Sequence, residues 1–270
     1  MTKQRISCVH TQIVEASDSS SGAITSLIYY KGLLYSGHSD GSIKVWKMVQ
    51  RKPECTEVIA MEEPIRQLEK YDQMIFVITQ GHRMKVYDSS RTARDICKAK
   101  KVKSMRVVQG KIYIGCKDSG IQELTIATKR EQEIKAPTKS WMMQKKPVNA
   151  IVVYRDWLYS ASSVIEGSKV KEWRTHHKPR ISIAADKGRN VLLMGVVEDF
   201  IYLNSSSSTS TLQIWLRGMQ QKVGRISAGS KITSLLTAND MVLCGTEKGL
   251  IKVGLDTTLV LDIAPAMYSF

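Results

Sequence analysis

The chain has 270 residues, 43% of them hydrophobic, and 40 lysines and arginines against 25 acids leave a net charge of +15. No run approaches the roughly 18 apolar residues of a membrane helix. Residues Met1 to Cys8 lack the apolar stretch of a secretory signal, so the expected location is cytoplasmic, nuclear or both, and not secreted.

In chain order, Ile24 to Tyr29 predicts an inner strand, Tyr30 to Gly32 a turn and Leu33 to Gly37 a second strand. His38 to Gly41 then predicts a tight turn and Ser42 to Lys47 a third strand. Asp40-Gly41 between two β-rich runs is a strong hairpin signal, because both residues accept positive φ. The same order of runs restarts at Ile65, Val102, Val148, Val191 and Ile232, in steps of 41, 37, 46, 43 and 41 residues. Related turns recur at Asp118 to Gly120, Glu166-Gly167 and Glu247 to Gly249. Outer strands are predicted after polar connectors at Thr56 to Met61, Asp95 to Lys98, Gln132 to Lys135, Arg180 to Ala184 and Lys222 to Ile226. For the sixth unit, Gln12 to Ala16 and Thr258 to Ile263 compete for that place.

A repeat of about 42 residues is the period of propeller blades. The expected fold is therefore all-β, a β-propeller of six recognisable blades with four strands each. No linker divides the repeats, so residues 1–270 are expected to form a single domain. Inner runs such as Ile24 to Ile28 and Val148 to Val153 are almost continuously apolar, as strands covered on both faces must be. Trp46, Trp173 and Trp215 share a third-strand position and are expected to wedge between blades. Cys8, Cys55, Cys97, Cys116 and Cys244 are odd in number and widely spaced, which suits neither a disulfide framework nor zinc.

Leu33 to Trp46 reads LLYSGHSDGSIKVW and resembles a WD-repeat signature, with Trp46 closing it and Asp40 at its turn. Tyr87, Leu124 and Gly254 replace the tryptophan elsewhere, and no unit has the Gly-His pair before its inner strand, so the family's bracing tetrad is not assured. Longer stretches, Glu133 to Gln144, Asp156 to Ser163, Met194 to Asn204 and Gln221 to Asp240, are similar to the C-terminal propeller of plant U-box ubiquitin ligases of the LIN/CERBERUS type. The resemblance covers nearly the whole chain. It implies a propeller that recruits proteins or ubiquitination substrates, in a ligase whose N-terminal U-box engages the conjugating enzyme, and a link to root symbiosis and nodulation. No segment here resembles a U-box, so ligase catalysis is not expected of this chain by itself. Val45 to Arg51 looks like the end of one family repeat joined to the end of the next, which implies seven blades in the relatives against six here.

No phosphate loop, nucleophile elbow or Cys/His metal spacing is present, so no catalytic residue, cofactor or metal is expected. Charge, by contrast, is patterned. Connectors from third to outer strands carry Arg51, Lys52, Arg91, Arg94, Lys129, Arg130, Arg174, Arg180 and Arg217, read as a basic ring around acidic inner turns at Asp72, Asp156, Glu198, Asp199 and Asp240. Solubility and protection of outer edges account for such a ring; anion binding is its functional reading. On the opposite face, Trp141, Met142 and Met143 beside Lys145 and Lys146 have the composition of an interface hot spot. With His38, Arg83, Lys117, Arg189 and Lys248 they form the expected protein-binding face. A second reading is a basic adaptor for RNA or anionic phospholipid, whose affinity would fall steeply with salt.

Overall fold

The computed structural model describes residues 4–7, 12–14, 22–49, 52–88, 93–96, 101–117, 120–126, 134–140, 147–162, 169–174, 180–184, 190–238, 241–248, 251–253 and 258–261. Every regular element among them is a β-strand.

The first sheet shows how local chemistry sets the pattern. β3 (Ile24–Tyr30) pairs antiparallel with β4 (Leu33–His38) across Lys31 and Gly32, whose φ values of 46° and 84° give the turn that matches strand twist. Asp40 Oδ1 accepts bonds from the backbone N–H and the hydroxyl of Ser42, both at 2.7 Å, and shapes the next turn. β5 (Ser42–Val49) and β6 (Lys52–Ala60) follow, in register from Ser42↔Ala60 to Val49↔Lys52 with one bulge. Of the expected repeat junction at Val45 to Arg51, Val45 to Val49 lie in β5 and Gln50 and Arg51 lie outside the described residues; β6 completes a four-stranded sheet. β6 begins before the predicted Thr56 because an outer strand pairs through its backbone and tolerates Lys52 to Glu54, which an apolar pattern does not mark.

The same order recurs in β7 (Ile65–Tyr71), β8 (Met74–Thr79), β9 (Met84–Tyr87) and β10 (Ala93–Ile96). It recurs in β11 (Val102–Val108), β12 (Lys111–Cys116), β13 (Ile121–Ile126) and β14 (Ile134–Ser140). The fourth sheet holds β15 (Val148–Tyr154), β16 (Trp157–Ser162), β17 (Lys169–Trp173) and β18 (Arg180–Ala184). The fifth holds β19 (Val191–Val197), β20 (Phe200–Ser205), β21 (Ser208–Leu216) and β22 (Gln221–Ser227). Each of these five sheets uses four consecutive strands, whereas the sixth joins the two ends of the chain. There β23 (Ile232–Ala238), β24 (Met241–Thr246) and β25 (Ile251–Val253) take β2 (Gln12–Val14) as outer strand. Of the two competing segments, the N-terminal one holds the place; β26 (Thr258–Leu261) pairs instead with β1 (Gln4–Ser7).

Side chains tie neighbouring inner strands together all the way round. The Ser26 hydroxyl accepts from Leu68 N–H at 2.9 Å, and Gln67 clamps Met105 with both ends of its amide, at 3.1 Å and 2.6 Å. Ser104 donates to the Val148 carbonyl at 3.0 Å, Asn149 to that of Val191 at 3.4 Å, and Thr237 to that of Val196 at 3.2 Å. Thr233 donates to the Ile24 carbonyl, which returns from the sixth sheet to the first. Leu236 and Leu243 pack there against Ile24, Leu27, Leu34 and Trp46. The sheets thus close into a β-propeller, with each core cluster shared between neighbouring sheets rather than held at one centre.

Tyrosines add a second set of ties at the other end of the ring. Tyr30 Oη accepts from Asp72 N–H at 2.9 Å and donates to its carboxylate at 3.2 Å; Tyr154 Oη accepts from Glu198 N–H at 3.0 Å. Each braces the positive-φ turn of the next sheet, at Asp72 (47°) and Glu198 (49°). Tyr30→Phe and Tyr154→Phe are each expected to cost about 1 kcal/mol. The double variant should add in thermal melts, because the two ties share no partner.

Candidate functional site

All six inner strands carry the same irregularity at the end where they begin. Between the paired first and third residues of each, the register slips by one, as at Ile24/Ser26, Ile65/Gln67 and Val102/Ser104. The slips at Val148/Ala150, Val191/Leu193 and Ile232/Ser234 complete the set. A bulge re-aims the residue it contains. Here the bulged residues are Thr25, Arg66, Lys103, Asn149, Leu192 and Thr233, one per sheet, and all six line a cavity of about 620 Å³ along the axis.

Three of these side chains are spent on the scaffold. Thr25 donates to the Gly37 carbonyl at 3.0 Å, Asn149 reaches the Val191 carbonyl, and Thr233 those of Ile24 and Gly245. Arg66 makes no hydrogen bond or ion pair among the described residues, and its burial in the mouth disfavours its charge. Nearby, His82 Nδ1 bonds the Val102 carbonyl at 3.1 Å. Burial first, then the charges of Arg66, Lys103 and Lys101, hold its imidazole below the ordinary pKa range. Deeper in the channel, Arg106 Nη1 binds Glu69 Oε1 at 3.0 Å. Burial pushes the Glu69 carboxyl up, and Arg106 opposes that shift.

The residues expected on this face fare differently. Lys117 and Lys248 are exposed there, while Arg83 is held by Glu63, which also takes Lys85 at 3.1 Å. His38 is a correction: it is 1% exposed, and its Nε2 shares a 2.8 Å bond with the Ser36 hydroxyl, so it belongs to the core and not to a binding face. Its polarity suggested a surface turn, whereas its place at the end of β4 turns it inward. Trp141, Met142, Met143, Lys145, Lys146 and Arg189 lie outside the described residues.

The same serine accepts a bond from Trp46 Nε1 at 2.8 Å, and Ser160 accepts one from Trp173 Nε1 at 2.7 Å. Among the described residues, two sheets therefore carry a Trp-Ser brace between their third and second strands. Trp215 is half-buried and bonds Gln213 instead, at 3.3 Å.

On the opposite face, the cations described are engaged locally. Arg94 lies 3.9 Å from Asp88, Arg174 over the Trp157 ring at 5.6 Å, and Arg217 over Tyr154 at 5.4 Å with Asp199 at 3.8 Å. Asp72 takes Lys31 at 3.3 Å and Glu198 takes Arg155 at 3.7 Å. Lys52 and Arg180 open the outer strands β6 and β18; Arg51, Arg91, Lys129 and Arg130 lie outside the described residues. Among the described residues, no group of His, Cys, Asp or Glu could hold a metal ion, and no helix is long and apolar enough to cross a membrane.

The axial ring escaped the sequence reading, although its signal was present as the second residue of each inner run. Alternation assigns that residue to one sheet face, and only the bulge directs it to the channel.

No protein-family model matches the chain. It is 25% identical over 90% of its length to "Putative E3 ubiquitin-protein ligase LIN-1" of Lotus japonicus, and 26% identical over the same share to LIN-2 of that plant. A LIN protein of Medicago truncatula is 24% identical, again over 90%. The chain spans less than one fifth of each relative, 19%, 16% and 19% of their lengths. Among solved structures, the β-propeller domain of Cps50 (Swd1) from Myceliophteria thermophila superposes with a TM-score of 0.63 over 87% of this chain and 82% of that one, at 9% identity. The WD40 β-propeller domain of Doa1 gives 0.60 over 93% and 97%, at 11% identity. The chain folds as a WD40-type β-propeller and is similar, over nine-tenths of its length, to one segment of the LIN ubiquitin ligases of plants.

Proposed function

We propose that this chain is the protein-recruiting propeller of a LIN-type ubiquitin ligase, presenting partners for ubiquitin transfer carried out elsewhere in the ligase. One observation carries the reading: the similarity to the ligases extends over 90% of a chain whose sheets close on themselves as a ring. In this reading the partner face is the end where the inner strands start. The ring of six sheets is one blade short of the relatives. The alignments to LIN-1 and the Medicago protein run over 289 residues, more than this chain contains, while that to LIN-2 runs over 247. The basic-adaptor reading is weaker, because the outer cations described are paired with acids or stacked on aromatic rings, and exposed charges so engaged offer little to phosphate.

The test is a reconstituted ubiquitination reaction with a LIN ligase whose own propeller is deleted or replaced by this chain. Self-modification of the ligase should survive deletion, and modification of a defined bound partner should return only with the chain present. Partner modification that is indifferent to the chain, or ubiquitin chains formed by the isolated propeller, would overturn the proposal. Binding that collapses between 50 and 200 mM salt in favour of RNA would point to the adaptor instead.

A further inference from the structure

The outer edge of the first sheet is left open in a way the other five are not. β6 is the last strand of its sheet, and among the described residues no strand pairs with its outer side. Every residue from Glu54 to Ala60 except Ile59 is exposed, Val58 to 60%. Proteins guard such an edge with cations, prolines or brevity, because its unpaired backbone N–H and C=O groups invite another strand. The remaining outer strands are guarded: β10 carries Arg94, β14 Lys135 and Pro137, β18 Arg180, β22 Lys222 and Arg225, and β2 has only three residues. In β6 the guards stand only at its first two positions, Lys52 and Pro53, and no lysine or arginine follows until Arg66. In a chain of net charge +15, that stretch is acidic instead.

The register of β6 sorts its side chains by chemistry. Its ladder with β5 runs regularly from Ser42↔Ala60 to Val45↔Glu57, skips Thr56, and resumes from Trp46↔Cys55 to Val49↔Lys52. Val45 and Lys47 lie on one face of β5, so their partners Glu57 and Glu54 share that face; Val58 and Cys55, opposite Lys44 and Trp46, share the other. Without the bulge, two carboxylates three positions apart would lie on opposite faces. Lys47 stands opposite Glu54 but forms no ion pair with it among the described residues. Lys70 is close enough to attract Glu57, yet gives its own hydrogen bond to the Asp72 carbonyl.

We propose that β6 binds, by strand addition, an extended partner segment in which cationic and aliphatic residues alternate. Main-chain hydrogen bonds to the open edge supply affinity, and alternate side chains supply the choice of partner. The cations lie along Glu54 and Glu57, and the aliphatic side chains lie along Val58 on the other face. A second copy of this chain is a poor occupant through the same edge: two β6 strands crowd four carboxylates onto one ribbon, and like charges across strands are destabilising. Phosphate backbones and anionic bilayers are repelled by the same carboxylates. The edge is on the outer side of the ring, so the site does not rest on the recruiting role proposed above.

The experiment is fluorescence anisotropy on the 270-residue chain with a labelled peptide of alternating lysine and valine. Replacing the peptide's lysines by glutamate should abolish binding. Glu54→Gln with Glu57→Gln in the chain should weaken it by about tenfold, the worth of two cross-strand charge pairs. Val58→Lys puts a guard on the open edge and should also abolish binding, with the circular dichroism melt within a few degrees of the parent because the side chain is exposed. Backbone pairing has its own signature, read on the unmodified chain: N-methylation of one alternate set of peptide amides should cost about tenfold more affinity than methylation of the other set. Equal binding of the two N-methylated peptides, or of the lysine and glutamate peptides, would overturn the site. So would affinity unchanged by Val58→Lys, tighter binding of a single-stranded oligonucleotide, or a dimer of the chain that excludes the peptide. Should Val58→Lys disturb the fold, the N-methylated pair decides the matter without it.

Discussion

Gly245→Val lowers the stability of the chain by about 3 kcal/mol and loosens the contact that closes the ring. A Cβ at Gly245 would lie 2.7 Å from Ile24 Cγ2, 3.2 Å from Ile24 Cβ and 2.2 Å from Ser234 Oγ. Ile24 is fully buried and β-branched, so its side chain has no other rotamer to retreat into. Overpacking of this kind costs roughly 1–3 kcal/mol where side chains can shift. Here two sheets from opposite ends of the chain meet, and the top of that range is expected. The same approach recurs at Gly115, whose Cβ would lie 2.9 Å from Val148 Cγ1, and at Gly37, 2.8 Å from Ile65 Cγ2. All three are second-strand glycines against the first residue of the following inner strand. Urea titration with native-state hydrogen exchange is the measurement, and the amide of Ile24 should lose protection first in the Gly245 variant. Gly81→Ala is the control, since its nearest neighbour would be 3.7 Å away. A Gly245 variant within 0.5 kcal/mol of the parent would show that the sixth sheet does not press on the first.

Trp46→Ala is expected to cost about 3–5 kcal/mol, the usual range for emptying a buried tryptophan site. Trp46 is 5% exposed and packs against Leu236 and Leu243 of the sixth sheet as well as its own sheet, so its loss is felt on both sides of the closure. Trp46→Phe separates packing from hydrogen bonding. It keeps most of the apolar contact and leaves Ser36 without its indole donor, at an expected cost of about 1–2 kcal/mol. Ser36→Ala removes the same bridge and the His38 contact with it, so it should cost more than Trp46→Phe, and the double variant should be non-additive because the indole bond is counted in both. Thermal melts and near-ultraviolet circular dichroism read both effects. Equal destabilisation by Trp46→Phe and Trp46→Ala would show that the indole bond dominates over the packing.

The strands were legible because their signals are local. Alternating or continuous apolarity marks Ile24 to Ile28 and Val148 to Val153, and turn chemistry marks Asp40-Gly41 and Lys31-Gly32. The outer strand Arg180 to Ala184 was read at both ends, whereas β6 was missed at Lys52 to Glu54, because backbone pairing there does not demand apolar side chains. His38 was misplaced for a related reason. A histidine before Ser-Asp-Gly reads as turn surface, and its partners Ser36 and Trp46 come together only once β4 lies beside β5.

Thus the repeat, the all-β class and the strand order follow from residue patterns within about 42 positions of one another, where hydrophobic period and turn geometry act. Which terminal segment closes the last sheet, which glycines sit at sheet contacts, and which residues face the axis depend on register and on neighbours far away in the chain. Arg66 and Leu192 come from the second and fifth sheets, 126 residues apart, and only closure of the ring sets them across one opening. Local composition carries no record of that meeting, because it arises from six bulges repeated around a common axis.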